Sequence, residues 1–509
     1  MKVFFNQSNK RLDMNMMKDR EQPLERKYST KQQVIWKNAK FYPEKFCPNC
    51  FEKKQFNRFC DHHELTLIGL DLSNNMITDI EEIEGLQNIN NLEVLNLSQN
   101  KITEITRLIG LERLRMINFE KNNIKEIKNI DNLTNLKKLS FQENKIEEIK
   151  GLESLVNLEN LELLGNRISE IKNLDTLSKL KVLGLGFHLF GGNVISEIKG
   201  LENLVKLEEL YLDLNKITEI KGLERLVNLH ELSLYGNEIS EIKGLDHLTN
   251  LEDLHLTNNH IHEIKGLEQL INLRELHLSC NQIDEIKGLE NLVELRSLIL
   301  HLNNISKIKG LENNANLARL DLAINPLIEI MGLDNLVKLV QLSLDGTQIT
   351  TIKNLGNLSN LKELDLDEGM IPHPFNQALG SIDIVGVEYE KQGIKSSYKQ
   401  ARIQDPLKHI KFWKFLETYA IDGNTSDNIA ILKKKLKKEK SIEDLKRLAV
   451  LLFKTDNIKE YSKLLTTIKK IKPDDEDASA FYMKFPEDTQ KKKKSITIGE
   501  LADFLMDQD

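Results

Sequence analysis

Residues 204–226 read LVKLEELYLDLNKITEIKGLERL, and residues 270–292 read LINLRELHLSCNQIDEIKGLENL. Both are copies of one pattern, L-x-x-L-x-L-x-x-N-x-I-x-x-I, which recurs from Leu67 onward with a period of 22 residues, apart from one step of 25 and one of 27. Such a period predicts stacked coils that each supply one strand. The Asn column comprises Asn75, Asn100, Asn122, Asn144, Asn166, Asn193, Asn215, Asn237, Asn259, Asn281, Asn303 and Asn325, and Thr347 and Gly369 take its place in two degenerate copies.

Each part of the repeat has a physical role. Alternate side chains of a strand point to opposite faces, so the leucines of Leu210–Tyr211–Leu212 are predicted to point into the core. An Asn side chain carries a donor and an acceptor, so stacked Asn residues are expected to satisfy backbone groups where the chain turns. No single coil buries its apolar face, and stability is therefore expected to come from stacking.

This pattern resembles the short, 22-residue class of leucine-rich-repeat proteins, typified by the regulatory subunit of type-1 protein phosphatase, and its period is similar to that of the bacterial internalins. The resemblance covers roughly residues 67–370. It implies an α/β repeat fold, a curved leucine-rich-repeat solenoid with a parallel concave sheet. It also implies a non-catalytic scaffold or regulatory subunit that binds a protein on the concave face, with a phosphatase or a small GTPase as the partner by family analogy.

Charge is distributed unevenly along the 509 residues. The net charge of −7 divides into +6 for residues 1–64, −18 for residues 65–385 and +5 for residues 386–509. We interpret these segments as an N-terminal region with a zinc-ribbon-like cap, a solenoid of about fourteen repeats, and a basic, mainly helical C-terminal region. The sequence shows neither a secretory signal nor an apolar run of about 18 residues, so a monomeric cytoplasmic protein is expected.

Repeats seven to eleven differ from the others at strand positions that are expected to face outward. Earlier repeats hold small or polar residues there, such as Asn96, Asn118, Ser140 and Glu162, whereas Tyr, His and Arg gather in these five. Such side chains suit a binding surface, although exposed strands also favour some of them without any partner. The candidate partner-binding residues are Tyr211, Asp213, His230, Tyr235, His255, Arg274, His277, Arg296 and His301, together with Phe187 and Phe190.

The two phenylalanines belong to an insertion. The 27-residue step between Asn166 and Asn193 falls in GFHLFGGN, residues 186–193, where apolar side chains occupy a predicted loop. Insertions in a solenoid often lie on its binding face. Phe187 and Phe190 are therefore expected either to contribute to that face or to fold back over the neighbouring coil.

Histidines of successive strands raise the question of a metal ion. His255, His277 and His301 are expected to lie on neighbouring strands, about 4.8 Å or more apart. A shared ion is conceivable at that spacing, but His301 occupies a different position in its repeat and the pattern compels no carboxylate to join.

A cysteine cluster lies just before the first repeat, in FCPNCFEKKQFNRFCDHH, residues 46–63. Cys47, Cys50, Cys60 and His63 follow the spacing C-x2-C-x9-C-x2-H, which resembles a small zinc ribbon, and His62 is the alternative fourth ligand. Four protein ligands of this kind suit tetrahedral Zn²⁺ and leave no open position, so a structural Zn²⁺ is predicted. Because this cysteine cluster directly precedes the first repeat, it is predicted to form or support the N-terminal cap of the solenoid.

The C-terminal region loses the leucine period. SIDIVGVEY at 381–389 is interpreted as a last strand, and helical patterns follow at 398–420, 426–438, 442–454, 457–471 and 498–506. The basic runs at 433–440 and 491–494 are typical of solvated helix or linker. The alternative function is nucleic-acid association through the zinc element and these basic helices.

Motifs of catalysis are missing from the sequence. It contains no G-x-x-x-x-G-K-[ST], no H-E-x-x-H and no G-x-S-x-G. A cysteine nucleophile after the repeats is also excluded, because the last cysteine is Cys280, inside a repeat. The chain is therefore predicted not to be an enzyme.

Overall fold

The computed structural model describes residues 40–43, 67–83, 86–106, 108–188, 191–350, 354–367, 382–391, 394–404, 425–438, 441–454 and 458–472. The chain forms two compact units. The first comprises Met1–Ile283 with Lys287–Leu295, and the second comprises Asp284–Ile286 with Arg296–Asp509.

The first unit is a ladder of short parallel strands, one for each coil. Strand β1 pairs antiparallel with β2, and from β2 onward each coil's strand pairs in parallel with the strand of the next coil. The insertion forms a small antiparallel hairpin of β8 and β9. The strands are β1 Lys40–Pro43, β2 Leu67–Asp71, β3 Val94–Asn96, β4 Met116–Asn118, β5 Lys138–Ser140, β6 Asn160–Glu162, β7 Val182–Gly184, β8 Phe187–His188, β9 Gly191–Gly192, β10 Glu209–Tyr211, β11 Glu231–Ser233, β12 Asp253–His255 and β13 Glu275–His277.

The core of this unit follows from the two-residue period of its strands. Leu210, Leu232 and Leu254 stand opposite one another in register, and each is fully buried. The isoleucines and leucines of the remaining consensus positions are buried with them, and two coils add Phe119 and Phe141, whose rings stack 5.2 Å apart. These contacts confirm the inward orientation predicted from the repeat.

The Asn column forms the predicted ladder. The side-chain amide of Asn237 donates to the carbonyls of Leu212 and Leu234, at 3.0 Å each, while its Oδ1 accepts from the Ile217 amide at 3.0 Å. Because Leu212 and Ile217 belong to the preceding coil, each Asn connects two coils. A buried backbone group left unpaired costs free energy, so the ladder stabilises the stack.

Two further columns lie away from the strands. The Gly column permits a left-handed turn, since Gly222 has φ +76° and a Cβ there would lie 2.5 Å from the Ile198 carbonyl oxygen. The Glu and Lys columns form ion pairs within and between coils, with Lys243 lying 3.7 Å from Glu219 and 3.8 Å from Glu241. Such exposed pairs contribute little individually.

The second unit continues the parallel pattern and ends differently from the prediction. Its parallel strands are β14 Ser297–Ile299, β15 Arg319–Asp321, β16 Gln341–Ser343 and β17 Glu363–Asp367. A hairpin of β18 Ile382–Lys391 and β19 Ile394–Gln404 follows, and β19 pairs antiparallel with β17. The helix predicted to start at 398 is therefore wrong over 398–404, because sheet pairing with β17 and β18 decides the conformation there.

Three helices follow in the second unit, close to their predicted positions: α1 Thr425–Lys438, α2 Ile442–Lys454 and α3 Ile458–Ile471. Ser441 begins α2 by accepting a hydrogen bond from the Asp444 amide at 3.4 Å. Leu448 and Tyr461 are fully buried. No helix within the described ranges is long and apolar enough to cross a membrane.

The helix predicted at 498–506 lies outside the described residues, as do residues 405–420 of the first predicted helix. The predicted zinc ligands Cys47, Cys50, Cys60 and His63, with the alternative His62, also lie outside them.

Candidate partner-binding site

The outward side of strands β10–β13 in the first unit, called here the sheet face, carries two rows of side chains. Within each row, the residues of neighbouring strands stand directly opposite one another. The first row holds one carboxylate per strand, and it is called here the acidic row. Neighbouring members pair directly across the sheet, and strands lie about 4.8 Å apart, so the carboxylates repel one another. The acidic row consists of Glu209, Glu231, Asp253 and Glu275.

The second row, called here the central row, contains Tyr211, Ser233, His255 and His277. Its aromatic member contacts the acidic row, because the Tyr211 hydroxyl donates to Glu209 Oε2 at 2.9 Å. Burial, together with the nearby carboxylates, raises the pKa of Tyr211 well above its ordinary value. The tyrosine therefore stays neutral and remains a hydrogen-bond donor to Glu209.

The two histidines of the central row stack on each other. Their ring centroids lie 4.0 Å apart and their planes differ by 18°. Burial lowers the pKa of His255, but the facing carboxylate of Asp253, together with Asp213 and Glu231, outweighs burial and raises this pKa above its usual value. For His277, burial dominates and His255 acts in the same direction, so that its pKa is lowered.

Asp213 follows β10 and is bonded to the central row. Its side chain is only 8% exposed, and its carboxylate accepts hydrogen bonds from the Ser233 hydroxyl and from the Tyr235 amide, the latter at 3.0 Å. Burial raises the pKa of this carboxyl group in spite of those two donors. Asp213 thus joins two coils and fixes the backbone of half-buried Tyr235.

Glu162 adds a further carboxyl group, at the end of β6. Its register partner in β7 is Gly184, and a Cβ at that glycine would collide with the Glu162 carboxylate, which therefore lies over the space that the glycine leaves. Burial and, to a smaller extent, the charge of Glu209 raise the pKa of Glu162 to about 8.

Three predicted contact residues lie outside both rows. His230, Arg274 and Arg296 directly precede strands, and all three are exposed. Arg274 forms an ion pair with Glu252 of the preceding coil, with Nη1 and Oε2 2.6 Å apart. His230 and Arg274 belong to the first unit and Arg296 to the second.

The other predicted contact residues are placed differently. His301 belongs to the second unit, where its Nδ1 atom lies 3.2 Å from Asp321 Oδ2. Phe187 begins the hairpin strand β8, while Phe190 lies outside the described residues.

The structure revises the predicted metal group. Among the described residues, the potential ligand atoms that converge belong to Asp253, His255 and His277, and all lie within 4.8 Å of one another. Asp253, and not the predicted His301, is the third member of this group.

The acidic row is the part of the site that the sequence analysis missed. Its signal was available, because an acidic residue directly precedes the inward Leu of the strand in four consecutive repeats: Glu209-Leu210, Glu231-Leu232, Asp253-Leu254 and Glu275-Leu276. Asn96, Asn118 and Ser140 stand in the same register column as the central row, but all three are buried.

Known proteins share this architecture. A family model of paired leucine-rich repeats matches residues 66–110, 205–247, 227–269 and 249–291. Among solved structures, an internalin (inlF) from Listeria monocytogenes is 30% identical with a TM-score of 0.53, and the match covers 58% of this chain and 85% of that one. A leucine-rich-repeat protein from Leptospira interrogans is 26% identical with a TM-score of 0.49, and that match covers 58% and 82% of the two chains.

A search of curated proteins finds no match to the sequence. The stacked coils, the Asn ladder and the outward rows define a solenoid of the kind that generally serves protein interaction without catalysis. The chain belongs to the leucine-rich-repeat family.

Proposed function

We propose that the protein is a non-catalytic interaction module that binds a partner protein on the sheet face of strands β10–β13. The observation that carries this proposal is the acidic row, four in-register carboxylates beside the aromatic central row. The partner surface is proposed to be basic, with Lys or Arg side chains reaching the acidic row.

Two physical arguments support a basic partner. Like charges directly opposite on neighbouring strands destabilise a sheet, and an approaching row of cations relieves that repulsion. A partner without cationic groups would bury the carboxylates of the acidic row at a cost in binding free energy. The acidic row therefore discriminates against acidic or neutral surfaces. Half-buried Tyr211 and Tyr235 supply the rigid aromatic area that interfaces commonly use.

The test starts with a partner purified with the full chain from the organism that makes it. The charge-reversed variant Glu209→Lys/Glu231→Lys is expected to weaken binding at least tenfold, and so is Tyr211→Ala/Tyr235→Ala. The matched control Glu219→Lys/Glu241→Lys reverses two charges in the exposed Glu column, and its affinity should match the wild type. Unchanged affinity in both sheet-face variants would refute the proposal.

We also propose that Cys47, Cys50, Cys60 and His63 hold a structural Zn²⁺. Strand β1 pairs antiparallel with β2, with Pro43 opposite Leu67, so the two described residues that flank the cysteine cluster in the sequence lie side by side. A metal ion bound between these two strands in the sequence would cap the first coil. Elemental analysis tests it: a folded preparation free of zinc would remove the structural role.

The alternative of nucleic-acid association concerns the basic terminal regions, most of which lie outside the described residues. The acidic row makes the sheet face itself unsuited to a phosphate backbone. Binding of polynucleotide with a steep salt dependence by the full chain, abolished by neutralising Lys491–Lys494, would favour that alternative.

A further inference from the structure

The two histidines and the aspartate of strands β12 and β13 form a group whose convergence the proposed partner binding does not explain. Asp253 and His255 are the first and last residues of β12, and His277 is the last of β13. Because side chains alternate along a strand, all three leave the same side of the sheet. The register places His255 directly opposite His277, so the sheet itself fixes their backbone positions.

The distances within this group are those of one coordination sphere. Asp253 Oδ1 lies 2.9 Å from His255 Nε2, and one ligand atom from each of the three residues lies within 4.8 Å of the others. In a tetrahedral site with bonds of about 2.0 Å, neighbouring ligand atoms stand about 3.3 Å apart. A cation between these atoms therefore requires only small side-chain rotations, chiefly of the stacked rings.

One carboxylate oxygen of the group is poorly satisfied without a cation. Asp253 Oδ1 is buried, and within the described part of the chain its contact with His255 Nε2, at 2.9 Å, is poorly aligned for a hydrogen bond. A buried carboxylate oxygen without a well-aligned donor costs free energy. A metal ion bonded to this oxygen would remove that cost.

The surroundings favour a divalent cation. Asp213 and Glu231 act electrostatically on His255, and Glu275 Oε2 lies 3.4 Å from His277 Nε2, where a fourth ligand or an outer hydrogen-bond acceptor would stand. The carboxylates exceed the cationic groups at this place, so an added double positive charge is stabilised. Imidazole nitrogens with carboxylate oxygens suit Zn²⁺ and its neighbours, whereas Ca²⁺ and Mg²⁺ prefer oxygen ligands alone.

We propose that Asp253, His255 and His277 form a binding site for a divalent transition-metal ion of the Zn²⁺ class on the sheet face. The site has three ligands from the chain, and its fourth position is open to Glu275 or to water. It is distinct in chemistry from the predicted cysteine-rich element, which would bind metal through thiolates. The chain supplies its own control, because His301 pairs with Asp321 outside this group and His230 is exposed before its strand.

The experiment measures zinc per chain on the full-length protein by equilibrium dialysis after chelation. His255→Gln/His277→Gln is expected to bind about one equivalent fewer than the wild type, while His301→Gln and His230→Gln should bind the same number. Co²⁺ added in parallel reports the two sites separately, because only thiolate ligation gives a strong near-ultraviolet charge-transfer band. That band should be unchanged in the double variant. Equal zinc binding by wild type and double variant would overturn the proposal.

A second measurement needs no folded double variant. Wild-type protein labelled with ¹³C at Cε1 of histidine is titrated with Zn²⁺, and its resonances are assigned with single His→Gln variants. The resonances of His255 and His277 should shift together at one added equivalent beyond the thiolate site, with those of His230 and His301 unmoved. Shifts spread over all exposed histidines, or absent from this pair, would refute the site.

Discussion

Glu162 and Gly184 are register partners on adjacent strands, and the Glu162 carboxylate lies over the glycine where any other residue would place its Cβ. This arrangement buries the carboxyl group, and together with the charge of Glu209 it raises the pKa of Glu162 to about 8. The glycine thus creates the space in which the acid is held neutral.

Glu162 makes stability depend on pH. The pKa of Glu162 in the folded state lies above the ordinary value of 4.5. The contribution of this group to the free energy of unfolding is therefore fully present below pH 4.5 and is lost as pH rises through about 8. Glu162→Gln should abolish this loss, which is on the order of 3 kcal/mol. Urea unfolding of both proteins at pH 5 and pH 8.5 measures it. Glu224→Gln, an exposed control, should leave the wild-type pH dependence intact, and an identical dependence in Glu162→Gln would contradict the prediction.

The Asn ladder predicts a large effect at a single residue. Asn237→Ala removes three donated bonds, two of them buried, and one buried accepted bond. The Leu212 and Leu234 carbonyls keep a donor from the neighbouring Asn of the ladder, whereas the buried Ile217 amide loses its acceptor. The free energy of unfolding should fall by on the order of 3 kcal/mol. The control is Asn228→Ala, whose exposed amide donates to Val205 O at 2.8 Å. Similar losses in the two variants, measured by urea unfolding, would show that burial of the ladder is unimportant.

Gly222 should resist substitution. Gly222→Ala forces a Cβ into a backbone with φ +76° and places it 2.5 Å from the Ile198 carbonyl oxygen. A destabilisation of about 2 kcal/mol or more is expected. Asn129 adopts a φ of +60° in the same unit, so an Asn side chain tolerates this backbone conformation. Gly222→Asn therefore keeps the close approach of the Cβ but lowers the conformational cost, and its destabilisation compared with Gly222→Ala separates the two effects. If Gly222→Ala unfolds at the wild-type urea concentration, the close approach is not a constraint.

The Glu and Lys columns should contribute little to stability. Lys243 contacts Glu219 and Glu241 at 3.7 and 3.8 Å, and all three side chains are about half exposed. Lys243→Ala is therefore expected to change stability by less than about 0.5 kcal/mol, and that change should shrink further in high salt. A loss above about 1 kcal/mol in low salt would mean that the column acts as a network.

The repeat predicted most of the fold because its period reports directly on inward side chains. Leu210 and its counterparts, the Asn ladder and the Gly turns all lie where the consensus places them. The outward side was harder to predict, because burial there depends on the size of the neighbours across the sheet. Asp213 was expected to contact a partner, yet it is buried and bonded to Ser233 and Tyr235.

The same limitation explains two other results. The acidic row was not predicted, although an acidic residue precedes the inward Leu in all four strands β10–β13. The strand at 394–404 was partly assigned to a helix, because its pairing partner β17 lies some thirty residues earlier and local periodicity carries no information about it.

The hairpin of β8 and β9 shows how a coil absorbs extra length. Asn193 donates to the carbonyls of Leu185 and Leu163 at 2.9 and 3.0 Å, although eight residues separate Asn193 from Leu185 where other coils have three. All five additional residues are accommodated between Leu185 and Asn193, and the register of Leu183 with Leu210 is unaffected. This position is therefore a natural grafting point, at which a foreign loop or an epitope could be displayed without altering the spacing of the coils on either side.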